Sequence, residues 1–170
     1  MSMTRLRPAY LPHTLLGELR TSELFVVSCL RLWVHAYCGC TCDYPNWREG
    51  LKRAAIPADG IRGFDMAWRI VAASAHRGLD IRPIHCAHLG EDEGQFLRLL
   101  CLLQHGQFLV ATSILSDWCP PTAVRLALSH AQAFAAALRA NRLWLPIGSD
   151  QQRVLQRTVS PIGTDAHQLH

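Results

Sequence analysis

The 170-residue sequence predicts an all-α fold: a compact bundle of about five to six helices, one extended crossover near residues 79–89 and a loose C-terminal tail. Three observations predict it. Apolar residues recur at three- and four-residue spacing in several segments, and Gly, Pro or Asn separates them. There is no alternation of strands and helices that would build a parallel sheet, and no glycine-rich phosphate loop. Hydrophobic residues make up 49% of the chain, enough to form a core without a disulfide or metal staple.

The elements follow in order. Residues 1–20 read as an irregular N-terminal segment, kept extended by Pro8 and Pro12, with room for one helical turn around 15–20. Thr21 and Ser22 start a helix, and Glu23 sits where a negative charge meets the dipole. From 24 to 37 only Ser28, Arg31 and His35 are polar, on one stripe, so this helix should be central, and Gly39 ends it. Asn46 caps a short helix to about Ala55. Pro57 separates the next, capped by Asp59, with Phe64, Trp68, Val71 and Ala75 on one face. Ile81, Pro83 and Ile84 resist a helix, so residues 79–89 read as a strand or an irregular crossover. Glu91, Asp92 and Glu93 open a helix that runs to His105 and stops at Gly106. A fifth helix spans about 108–118. Pro120 and Pro121 break the chain, and a sixth begins near Thr122. The expected domain is therefore 21–146, with a flexible tail over 147–170.

The net charge of +4 comes from 16 Arg and one Lys. Such a skew suits phosphate recognition, but Arg alternates with Asp and Glu through residues 48–82 rather than forming a run. Compositional bias is the plainer reading. No secretory signal is read in the first 20 residues, and no stretch reaches the ~20 apolar residues of a membrane span. The seven cysteines are accordingly read as reduced thiols of a cytoplasmic protein.

Cys38, Cys40 and Cys42 lie in one loop, and His85, Cys86 and His88 in another. Thiolate and imidazole are the ligands zinc prefers. If the loops meet, Cys40, Cys42, Cys86 and His88 make a closed zinc site, with Cys38 and His85 as substitutes. The one-residue gaps differ from the common two-residue knuckle, and thiols also fill gaps in a core. Cys86 and His88 share a face in an extended segment, the only arrangement here that suits a nucleophilic thiol. Cys29, Cys101 and Cys119 read as packing residues. Glu91, Asp92 and Glu93 read as dipole-stabilising acids in an exposed first turn. Arg62, Arg69 and Arg77 fall on one helical face, a candidate nucleic-acid surface, or else a solvated face opposite Phe64, Trp68 and Val71.

These readings point first to a non-enzymatic helical module for protein interaction or assembly, with a protein partner or a second copy of itself. No membrane partner or resident cofactor is expected. A zinc- or thiol-dependent protein using the two Cys/His loops is the alternative. A nucleic-acid binder working through the Arg face comes third.

Overall fold

A computed structural model describes Tyr10, Leu11, residues 13–148 and Gln156. The described part contains six α-helices and no strand: α1 (Thr21–Tyr37), α2 (Trp47–Arg53), α3 (Ala58–Ser74), α4 (Glu91–Gln104), α5 (Phe108–Trp118) and α6 (Pro121–Ala140). The chain divides into a unit spanning Tyr10–Pro146, which holds all six helices, and a second made of residues 1–9 and 147–170. The tail expected over 147–170 lies outside the described residues except at 147, 148 and 156. No described helix is long and apolar enough to cross a membrane.

The helix ends follow local chemistry. Glu23 reaches back to the Arg20 amide at 2.7 Å, satisfying one of the donors left open at the start of α1. Asn46 accepts the Arg48 amide at 2.9 Å and caps α2. Gly39 (φ 69°) and Gly106 (φ 72°) turn the chain after α1 and α4 through the left-handed conformation that glycine tolerates best. Two details differ from the sequence expectation. The cap of α3 is Pro57, one residue before the helix, so Asp59 sits within the first turn as a dipole-stabilising acid. The same helix ends at Ser74, because the His76 amide leaves the helical ladder for the Trp118 carbonyl at 3.0 Å.

Helix α4 is central: from Phe96 to Gln104 every residue but Arg98 is buried. Each of the six helices places at least one aromatic ring in a single connected cluster. Trp33 of α1 meets Trp68 of α3 (6.3 Å between centroids), and Trp68 meets Phe96 of α4 (4.8 Å) and Trp118 of α5 (5.8 Å). Phe64 of α3 joins Trp47 of α2 (5.4 Å), Phe134 of α6 (4.9 Å) and the same Phe96 (6.3 Å). Such pairs contribute roughly 0.5–1.5 kcal/mol each beyond their buried area.

Helices α3 and α6 approach most closely. A Cβ on Gly60 would stand 2.4 Å from the Ala137 methyl, and one on Gly63 would stand 2.6 Å from the His130 carbonyl oxygen. These glycines weaken the helix by propensity, yet they permit backbone contact with α6. A buried Gln104 fastens the segment after α6: its amide donates to the Leu143 carbonyl (3.0 Å) and its oxygen accepts the Leu145 amide (3.0 Å).

Residues 79–89 are not helical, as expected, but they are not alone. Residues 14–16 run antiparallel beside them, with the Leu16 amide on the Ala87 carbonyl (2.8 Å) and the Leu89 amide on the Thr14 carbonyl (2.8 Å). Part of the segment read as an irregular N-terminus is thus built into the domain.

Gly60→Ala should destabilise the fold by about 1–3 kcal/mol, because the added methyl overpacks the α3–α6 contact. Ala137→Gly alone should cost about 1 kcal/mol through helix propensity, and the double variant should cost less than the sum of the two. Urea unfolding of the four proteins measures this. Strict additivity would show that the two positions do not touch.

Candidate functional site

The polar groups of the domain gather around the crossover 79–89, and α1 and α4 hold them there. Arg31 projects from the middle of α1 and is buried. All five of its N–H donors are used. Nε and Nη2 form a bidentate pair with Glu93 (2.7 and 2.8 Å). Nη1 donates to the carbonyls of Pro83 (3.2 Å) and Cys86 (2.6 Å), and Nη2 also donates to that of His88 (2.8 Å). Glu93 in turn accepts the amides of Arg82 (3.1 Å) and Gly90 (2.7 Å). A buried charge is tolerated only when its remaining hydrogen-bonding capacity is filled, and both partners meet that condition.

Asp92, the residue before, does the same on the other side. It accepts both Nη atoms of Arg77 (2.8 and 2.9 Å), the Trp118 indole N–H (2.8 Å) and the Asp80 amide (2.7 Å). Burial alone would raise its pKa, but the hydrogen bonds from Arg77, the Asp80 amide and Trp118 outweigh burial and hold the carboxyl below its ordinary range. Asp80 completes the loop by accepting the Glu91 amide (2.8 Å). Gly90 is needed at this crossing, since a Cβ there would lie 2.2 Å from the Asp80 carbonyl oxygen.

This overturns the reading of Glu91, Asp92 and Glu93 as an exposed acidic turn. Glu91 is exposed, but Asp92 and Glu93 are buried acceptors that tie the crossover to α4. Nothing in the spacing of three acids distinguishes a clamp from a cap. With four hydrogen bonds each, neither carboxylate is placed to move a proton to a substrate.

The two Cys/His loops do meet, through a residue that the sequence did not mark. The Tyr44 hydroxyl lies 2.6 Å from His85 Nε2, and the His35 ring stands edge-on to Tyr44 at 4.7 Å. The thiols are not drawn into this contact as a ligand set. Cys38, Cys40 and Cys42 are exposed, and Cys86 is half-buried. The His88 ring lies edge-on to His13 at 6.2 Å. Among the described residues no three His, Cys, Asp or Glu side chains are gathered as the ligands of a cation. Cys40, Cys42, Cys86 and His88 therefore do not stand as a preformed tetrahedron, with or without Cys38 and His85. The crossover takes its register from Arg31 and from residues 14–16, and His85 is held by Tyr44.

The other three thiols are buried, as expected. Burial pushes the thiol pKa of Cys29 up to about 12, and that of Cys101 up to about 12 with a smaller contribution from Glu23. It raises Cys119 in the same direction.

The proposed Arg face is not one face. Because α3 stops at Ser74, Arg77 leaves the helix and pairs with Asp92 and Asp117 (2.6 Å). Arg69 pairs with Asp65 at 3.0 Å, one turn away, which leaves Arg62 as the exposed arginine of the three that no ion pair holds among the described residues.

The class defined by this geometry is a six-helix domain with an ion-paired, non-helical crossover and an exposed thiol loop. No protein-family model, curated protein or solved structure matches the chain.

Arg31→Met should destabilise the domain by about 3–5 kcal/mol, since Glu93 is then left buried without its partner. Adding Glu93→Gln should recover part of that loss in urea unfolding. A loss under about 1 kcal/mol would mean that the crossover does not depend on the pair.

Acid should act through Asp92. Its pKa is depressed below the ordinary 3.8, so its stabilisation is present above that value and is lost as pH falls through the folded value. Asp92→Asn should therefore melt lower than the wild type at about pH 7 and show a flatter decline in melting temperature below about pH 4. Parallel curves for the two proteins would contradict this.

Proposed function

We propose that the chain is a non-enzymatic helical module that works by binding a protein partner or a second copy of itself. The observation that carries this is the outer face of α5. Leu109 is 89% exposed and Phe108, beside it, is 48% exposed. The rest of that face carries Thr112, Ser113 and Ser116, with no charge before Asp117.

Those hydroxyls are already bonded to their own helix. Thr112 donates to the Phe108 carbonyl (2.7 Å), Ser113 to Val110 (2.7 Å) and Ser116 to Thr112 (3.0 Å). A face of this kind loses little when water leaves it, because its polar groups keep their partners. Depletion of charge around exposed aromatic and aliphatic side chains is the compositional mark of an interface core. On α6, Leu126 is also exposed, at 59%. By contrast, the charges at the crossover are committed to internal pairs, which leaves that region little to offer a substrate.

Sedimentation velocity on the purified chain, with and without a co-purifying partner, tests the reading. Leu109→Arg should weaken the complex about tenfold or more by placing an unpaired charge in the interface. Leu24→Arg, on the outside of α1, should leave it unchanged. A strictly monomeric chain that retains no partner would overturn the proposal.

A further inference from the structure

We infer that Arg98, on the central helix α4, is a binding site for an oxyanion: the carboxylate or phosphate group of a ligand that the fold itself does not supply. The site is independent of the outer face of α5 and uses a different element.

The contrast with the other arginines carries it. Arg31 rests on Glu93, Arg48 and Arg69 on Asp65, Arg77 on Asp92 and Asp117, and Arg82 on Asp80. Arg98 is half-buried, its Nε is fully buried, and that Nε has no hydrogen-bond partner. No ion pair among the described residues includes it. A guanidinium does not shed its proton, so a buried N–H without an acceptor carries its full desolvation cost.

The helix around it explains why no internal acceptor arrives. The positions three and four residues away, where a carboxylate could reach back, are Gly94, Gln95, Cys101 and Leu102. The same side of α4 is engaged on both flanks of Arg98. One turn before it, a Cβ on Gly94 would stand 3.2 Å from the Tyr10 Cβ. One turn after it, the Cys101 thiol donates to the carbonyls of Leu145 (3.7 Å) and Pro146 (3.6 Å). Two turns after it, the His105 ring meets that of Trp144 at 5.7 Å. Tyr10 and residues 144–146 therefore flank a cation whose planar fork matches two oxygens of a carboxylate or phosphate. Partial exposure leaves the guanidinium within reach from outside.

Thermal unfolding of the full chain tests this, in inorganic phosphate or acetate against chloride at equal ionic strength. Saturating oxyanion should raise the melting temperature of the wild type by about 2–4 °C or more. A rise with phosphate alone assigns a phosphate-bearing ligand, and a rise with acetate assigns a carboxylate. Arg98→Met, which keeps the apolar stem, should abolish the rise, whereas Arg62→Gln should preserve it. In chloride, Arg98→Met should melt at or above the wild-type temperature, because it removes the buried N–H that lacks an acceptor. No rise in the wild type with either oxyanion would overturn the inference, as would an equal rise in Arg98→Met. A lower melting temperature for Arg98→Met in chloride would also overturn it, by showing that the fold already satisfies this guanidinium.

Discussion

The buried pair of Arg31 and Glu93 is the constraint around which the rest of this domain is arranged. Taking a guanidinium out of water costs several kcal/mol, and one carboxylate does not offset that by itself. Three carbonyls from residues 83, 86 and 88 complete the set. Those carbonyls are available only because residues 79–89 are not helical. A helix there would use them in its own ladder and leave Arg31 with three unmet donors. The irregular crossover and the buried cation therefore require one another. That is a stronger reason for the non-helical backbone than Pro83 alone, which explains only a local break.

Around this polar centre the helices are joined by rings and by close backbone approach. The aromatic cluster touches all six helices, and it needs α3 within reach of α2, α4 and α6 together. Gly60 and Gly63 make that possible by letting α6 seat against the α3 backbone. The helix propensity lost at two glycines is small beside the dispersion attraction that close packing adds along the length of α3. Asp65 links this packing to the surface: it accepts the Trp33 indole N–H at 2.8 Å and pairs with Arg48 and Arg69.

The helices were legible because their signals are local. Gly39, Gly106, Asn46 and the Pro120–Pro121 pair each act within one turn, and each stands at a helix boundary. The polar site was not legible, for the complementary reason. Arg31 is 62 residues from Glu93, and Arg77 is 15 from Asp92. A run of three acids at a helix start looks the same whether it faces water or a buried arginine. One signal was available: Arg31 stood within the most apolar stretch of the chain. An arginine on an otherwise buried helix demands a carboxylate, and the acids opening α4 were the nearest concentrated supply. The Tyr44–His85 contact had no such signal, since an isolated tyrosine in a loop carries no periodicity.

The same long-range pairing separates structural from functional chemistry in this fold. Arg31, Arg77, Asp92 and Glu93 are the residues a sequence reader would first enlist for catalysis or phosphate binding, and each is bonded from within the domain. Among the described residues, two features stand apart from these internal pairs: the outer face of α5 before Asp117, which carries no charge, and the exposed thiols of residues 38–42. The first can lose water at little cost, because its hydroxyls are bonded to their own helix. The second stays reachable, because no secondary structure claims the loop backbone after Gly39. Groups that stabilise a fold this completely have little left to do, so function is to be sought where the interior makes no demand.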